Sequence, residues 1–246
     1  RYTREEKLLE EAAQVLGLKS PPRLIESYDI SNWGDGSSVC GMVVFKDGKP
    51  YRSGYRRFKM RQVAGTDDYA SLAETLARRA AEYEAARRGD KPDGPANQFA
   101  ALPDLLLIDG GRGQDGAVKQ ALRGTALEHM PTFGMVKDDR HRTRAIVDDE
   151  GGEIAINRHR NIFTFVTAIQ DETHRYANDY RKRLMRKKSY AATLTALPGV
   201  GEKTSAALLA HFKTVAAVKA ASISDLEEVK GISHAKAEKI YNALRA

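Results

Sequence analysis

The tightest constraint on the fold is a six-residue run, 103–108 (PDLLLI), followed at once by Asp109-Gly110-Gly111. A continuous apolar run of that length has no polar face, so it suits a central strand covered on both sides. Such a strand needs neighbours and covering helices, and the flanking sequence supplies both. Residues 24–30 (LIESYDI) and 37–45 read as strands, and 51–59 as a third, returning strand. Asp47-Gly48 between the second and third supplies the positive φ angles of a two-residue hairpin turn. Residues 132–136 form another strand, and a hairpin centres on Gly151-Gly152.

Helical periodicity appears at 5–16, where Pro21-Pro22 is expected to end the helix, and at 66–88, where Tyr69, Leu72, Leu76, Ala80 and Tyr83 share one face. It appears again at 114–123 and at 163–185, with Val166, Ile169, Thr173, Ala177, Tyr180 and Leu184 on one side. The front of the chain is therefore an α/β unit, a mixed sheet flanked by helices. From Ser189 onward every segment reads as a short helix, broken at 198–201, near Lys213-Thr214 and at 230–233. Ser224 with Glu227 fits a capping box. Pro198-Gly199-Val200-Gly201 and Lys230-Gly231-Ile232-Ser233 each precede an Ala-rich helix, which makes a duplicated helix–hairpin–helix. The expected domains are 1–188 and 189–246.

The net charge of +7 divides unevenly between these parts. Residues 1–174 carry 26 basic and 27 acidic side chains, and residues 175–246 carry 14 and 6. Seven of those 14 lie in 175–188, facing Asp179 alone. A basic back half calls for an anionic partner, nucleic acid or membrane. No stretch reaches 18 apolar residues, so no membrane-spanning helix is encoded. No signal segment opens the chain, and Cys40, the single cysteine, excludes an internal disulfide and a Cys-rich zinc site. Cys40 lies in an apolar run and reads as a buried, inert thiol. A soluble, cytoplasmic, monomeric protein is expected. The chain opens on Arg1 and not Met, so it is expected to be a fragment of something longer.

Three carboxylates fall at element ends: Asp29 near the end of the first strand, Asp109 after the apolar strand, and Asp68 at the head of a helix. An Asp at the edge of a buried strand is costly without compensation. Two of them on adjacent strands would repel, and a divalent cation would remove the repulsion. Mg²⁺ and Mn²⁺ take carboxylate oxygens and leave positions for a phosphate. Each acid also has a plain reading: Asp109-Gly110 as a turn, Asp68 as a helix cap. His174 is a third ligand, a proton shuttle or a surface histidine. Lys137, Arg140, Arg142 and Arg144, with Asp138, Asp139 and His141 among them, form either a solvated loop or a cationic wall for a phosphate backbone. In the hairpins, Gly199, Val200 and Gly201 and the later Gly231, Ile232 and Ser233 would aim helix-start N–H groups at phosphates. Lys203, Lys213, Lys230, Lys236 and Lys239 add sequence-independent attraction. Arg181, Lys182 and Arg183 extend the basic track.

Five motifs stand in order: Tyr28-Asp29-Ile30-Ser31-Asn32, Gly65-Thr66-Asp67-Asp68-Tyr69, Leu107-Ile108-Asp109-Gly110-Gly111-Arg112-Gly113-Gln114, residues 137–144, and Asp171-Glu172-Thr173-His174-Arg175-Tyr176-Ala177. With the paired hairpins they resemble the C-terminal half of the UvrC family of bacterial nucleotide-excision-repair nucleases, over about residues 20–246. The resemblance implies a ribonuclease-H-like front domain that makes the 5′ incision beside a lesion, within the DNA-damage (SOS) response. It implies an Asp29–Asp109–His174 catalytic and metal-binding set with Mg²⁺ or Mn²⁺, and a further required acid at Asp68. It implies a tandem helix–hairpin–helix module on damaged double-stranded DNA, and UvrB as a partner whose binding segment this chain lacks. Two departures stand out. The loop 89–99 is longer than expected, and the second hairpin has Ser233 in place of its second glycine. The rival readings are another ribonuclease-H-like nuclease, of recombinase or resolvase type, and a DNA-binding scaffold whose acids are structural.

Overall fold

The computed structural model describes residues 2–32, 36–63, 65–90, 95–110, 114–140, 142–148 and 150–246. Within the motifs quoted above, Gly111, Arg112, Gly113 and His141 lie outside the described residues, as does the middle of the loop 89–99. The chain forms two compact units, Arg1–Asp179 and Tyr180–Ala246.

The first unit opens with α1 (Arg4–Leu16), whose Thr3 and Glu6 form a capping box. It ends at Gly17, in the left-handed region at φ 66°, four residues before the prolines expected to stop it. Strands β1 (Leu24–Asn32) and β2 (Ser38–Lys46) pair antiparallel over their whole length. The turn after β2 is as the sequence requires: Asp47 and Gly48 both have positive φ, 49° and 79°.

The returning strand is not continuous. It splits into β3 (Lys49–Pro50) and β4 (Arg56–Lys59), with a 3₁₀ turn at Arg52–Gly54 between them. Phe45 pairs with Pro50 and Met42 with Arg56, so five residues on one side face two on the other. Gly54 lies so close to Val44 that an added Cβ would be 3.0 Å from its side chain.

Helix α2 (Asp68–Arg88) is capped by Asp67 and closed by Gly89. Leu72, Leu76, Ala80 and Tyr83 bury as expected, but Tyr69 is exposed. It sits in the first turn, ahead of Leu72, the first residue of that face to reach the core. The same helix buries Arg79 completely against Glu26 of β1. Arg79 donates to both Glu26 oxygens and to the carbonyls of Phe99 and Ala101, and Tyr28 donates to Glu26 at 2.6 Å. The sequence pattern carried no sign of this pair.

The apolar run becomes β5 (Leu105–Asp109), followed by α3 (Gln114–Leu122), β6 (Thr132–Lys137), β7 (Thr143–Val147) and β8 (Glu153–Ile154). The sheet order is β3-β2-β1-β5-β6-β7-β8, with β4 also on β2. β5 runs parallel to both β1 and β6, and its four apolar residues are buried, as a central strand demands. The mixed α/β sheet expected from the sequence is therefore borne out.

Helix α4 (Arg160–Thr195) is longer than 163–185 and passes the expected domain boundary unbroken. The chain has no Gly or Pro between Arg160 and Pro198, so nothing stops the helix earlier. Its Val166, Ile169, Thr173 and Ala177 are buried, whereas Tyr180 and Leu184 are half-buried. Gly41 of β2 permits its approach: a Cβ there would lie 3.3 Å from the Tyr176 ring and 3.4 Å from Ala177.

The second unit adds α5 (Glu202–Phe212), α6 (Val215–Ala220), α7 (Ile223–Glu227) and α8 (His234–Ala243). Leu194, Val200, Leu208, Val218, Leu226, Ile232, Ala237 and Ile240 make its core. The capping box is Ser222 with Asp225, two residues before the expected pair, because α7 starts at Ile223 and leaves Ser224 inside the helix. Val200 N–H bonds to Leu197 O, and Ile232 N–H to Val229 O. Gly199 and Gly231 both have positive φ, at 78° and 89°. Each feature recurs 32 residues on, which is the duplication the motifs implied. Among the described residues no helix is long and apolar enough to cross a membrane.

Candidate active site and nucleic-acid surfaces

The sheet register brings two aspartates together. Tyr28 of β1 is level with Ile108 of β5 in a parallel pair, and the next residues along the strands are Asp29 and Asp109. Helix α4 brings His174 to them. Its Nδ1 lies 3.2 Å from Asp29 Oδ2 and 4.0 Å from Asp109 Oδ2. One ligand atom from each of the three falls within 4.8 Å of the others. The two carboxylates are largely shielded, while His174 is exposed, so the group opens to solvent on the histidine side.

Burial pushes the Asp29 carboxyl up to about 8, with the charges of Asp109 and Asp68 adding to the effect and Lys137 opposing it. A buried, mutually repelling oxygen pair with an imidazole nitrogen beside it is a donor set suited to a hard divalent cation. The residues present fit such an ion. Asp68, at the head of α2, stands apart from the three. Asn32 Nδ2 donates to its Oδ1 at 2.7 Å, and Asn32 is in turn held by the Ser38 hydroxyl at 2.6 Å.

In the metal-free protein burial and the neighbouring Asp109 hold the Asp29 carboxyl well above its ordinary value of 3.8, at about 8. The folded chain thus holds a proton that the unfolded chain releases, so stability falls as pH rises from about 4 through about 8. Urea unfolding in EDTA between pH 5 and 9 is expected to give a falling midpoint for the native chain and a flatter profile for Asp29→Asn. Parallel profiles would refute the assignment.

No motif in the sequence marks the supports of Asp109 as such. Lys137 was expected in a cationic wall, yet its Nζ sits 2.9 Å from Asp109 Oδ2. Gln170 Nε2 donates to Asp109 Oδ1 at 3.0 Å, and Thr143 Oγ1 donates to Gln170 Oε1. The available signal was spacing: Gln170 precedes His174 by four residues, hence shares its helix face. Of the other basic residues in the 137–144 segment, Arg140 is exposed, Arg142 pairs with Asp138 at 3.0 Å and Arg144 with Glu153 at 3.1 Å.

In the second unit the two hairpins differ at their helix starts. Gly201 and Ser233 both have extended backbone, φ −87° and −77°, so the position does not require glycine. Gly201 offers no side-chain cap, which leaves the first N–H groups of α5 open, whereas the Ser233 hydroxyl takes the Lys236 N–H. The first hairpin therefore presents more amide donors to an anion. Lys203 and Lys230 are exposed, and Lys236 Nζ donates to Thr204 at 2.8 Å. Arg181, Lys182 and Arg183 are exposed and make no ion pair among the described residues. Arg183, Arg186, Lys187 and Lys213 rim a groove of about 810 Å³ between α4 and α5, with Tyr190 and Leu209 on its lining.

Comparison with known proteins gives consistent matches. The family described as the UvrC RNAse H endonuclease domain matches residues 13–177, and the SAM-like helix-hairpin-helix tandem matches 191–246. The UvrABC system protein C of Ruminiclostridium cellulolyticum is 42% identical over 229 residues, 93% of this chain and 36% of the relative. That of Alkaliphilus oremlandii is 42% identical over 248 residues, 97% of this chain and 39% of the relative. The chain thus spans under two-fifths of the length of the curated relatives it matches. Among solved structures, Ciona intestinalis endonuclease V in complex with an inosine-containing 24mer DNA aligns over 55% of each chain, at 17% identity and a TM-score of 0.33.

Proposed function

The chain belongs to the UvrC family, and from that premise we propose that it is a metal-dependent DNA endonuclease module making the 5′ incision beside a lesion in bacterial nucleotide excision repair. The convergence of Asp29, Asp109 and His174 carries this reading. Residues 1–188 would cut and residues 189–246 would grip double-stranded damaged DNA. The remainder of the repair machinery, UvrB included, would deliver the substrate, and the module would act as a monomer in the cytoplasm.

Asp29 and Asp109 would hold Mg²⁺ or Mn²⁺. When bound, the ion supplies Lewis acidity at the scissile phosphate and lowers the pKa of a coordinated water. Asp29 must give up its proton to take part, so binding gains strength as pH rises through about 8. His174 Nδ1 either completes the ligand set or accepts a proton. Asp68, held by the Asn32 amide, would supply a further acid at the head of α2. Lys137, bonded to Asp109 at 2.9 Å, would also meet an incoming phosphate. Arg140, Arg142 and Arg144 would steady the backbone, and the N–H groups at Gly199, Val200 and Gly201 and at Gly231, Ile232 and Ser233, with Lys203, would hold flanking phosphates.

Cleavage of a nicked or bubbled duplex in Mn²⁺, with and without the acids, tests the catalytic half. The gripping half is tested by reversing the charges of Arg181, Lys182 and Arg183 together. DNA affinity should fall, and the slope of log K against log salt should become shallower by about 0.9 for each phosphate that is no longer neutralised. An unchanged slope would reduce the run to a solvated helix face.

A further inference from the structure

Asp109 is the acid with the most elaborate support, and its two oxygens are treated differently. Oδ2 faces Lys137 Nζ at 2.9 Å and His174 Nδ1 at 4.0 Å. Oδ1 accepts from Gln170 Nε2 at 3.0 Å. Gln170 is 2% exposed and Thr143 5%, so neither finds compensation in water. The Gln170 amide turns its NH₂ toward Asp109 Oδ1. The amide oxygen then points away and needs a donor, and the Thr143 hydroxyl on β7 supplies it. The chain Thr143–Gln170–Asp109 is therefore directional and fully satisfied. Gln170 also rides on the same face of α4 as His174, so one helix places both an edge of the site and the brace of its central acid.

We propose that Gln170 and Thr143 are positioning residues that brace Asp109 through Oδ1 and so fix the orientation in which its carboxylate would meet a divalent cation. The proposal rests on the metal-site reading above. Hydrogen bonds to a ligating carboxylate fix its orientation, and losing such a partner weakens metal binding by about 10- to 100-fold. A role limited to filling the core would lower thermal stability and leave the metal affinity of the folded chain intact.

The test is Mn²⁺ binding to the 246-residue chain without DNA, followed by the electron paramagnetic resonance of free Mn²⁺, alongside circular dichroism to show folding. Gln170→Leu and Thr143→Val should each weaken binding by about 10- to 100-fold, and Thr143→Ser should recover to within about threefold of the native chain. Should Gln170→Leu fail to fold, the Thr143→Val and Thr143→Ser pair decides alone. Native affinity in folded Gln170→Leu and Thr143→Val, with binding lost in Asp109→Ala, would overturn this inference and spare the metal site. Equal binding by the native chain and Asp109→Ala would overturn both.

Discussion

Asp109→Ala is expected to cut incision of a nicked or bubbled duplex in Mn²⁺ by about 1,000-fold or more. A metal-centred phosphoryl reaction draws several kcal/mol of charge stabilisation from the ion, and about 1.4 kcal/mol is a factor of ten in rate. Asp109 is the natural focus because it meets Lys137, Gln170 and His174 within 4.0 Å. Asp29→Ala should act alike, since the two acids follow the paired Tyr28 and Ile108 on adjacent parallel strands. His174→Ala separates the two roles open to the imidazole. As a proton carrier its loss lowers the rate by about 10²- to 10⁴-fold and leaves metal affinity unchanged; as a ligand its loss weakens both. Equal, nonzero cutting by the native chain, Asp109→Ala and His174→Ala would contradict the site. Intact DNA binding with no cutting by any would favour a scaffold or mean that the partner the chain lacks is obligatory.

The second large effect lies away from the chemistry. Arg79→Met should destabilise the first unit by about 3–5 kcal/mol, because it strands the Glu26 carboxylate in the core. Arg79 and Glu26 are 0% and 4% exposed at their side chains, and every polar atom of the guanidinium faces an oxygen of Glu26, Phe99 or Ala101. Glu26→Leu combined with Arg79→Met should recover much of that loss, since apolar replacements of a buried pair are often tolerated. Denaturant midpoints of the two variants and the native chain provide the check. Equal midpoints for Arg79→Met and the native chain would mean that the pair contributes nothing. Because Glu26 precedes Asp29 by three residues on β1, the same variant should also loosen the site and lower incision.

What the sequence made legible follows from local physics. The run 103–108 suited a doubly covered strand, which forms over Leu105–Asp109, and Asp-Gly at 47–48 signalled a tight turn. Asp29 and Asp109 at strand ends stood out because charge there is costly. The hairpins repeated visibly because positive φ at Gly199 and Gly231 calls for glycine. The hidden features depend on distant partners. Arg79 meets Glu26 across 53 residues and Gln170 meets Asp109 across 61, and no periodicity encodes either meeting. Lys137 read as part of a basic cluster because its partner lies on another strand. The length of α4 was legible in the absence of Gly and Pro before Pro198, but the fading apolar stripe after Ala177 drew attention to an earlier end. Tyr69 kept the phase of a buried face that had not yet reached the sheet.

The most direct measurement of the central claim is anomalous scattering from Mn²⁺ in crystals of this chain. A peak is expected within about 2.1 Å of oxygens of Asp29 and Asp109, on the side of the cluster that faces His174. A Mn²⁺ peak elsewhere, with these two carboxylates unliganded, would contradict it.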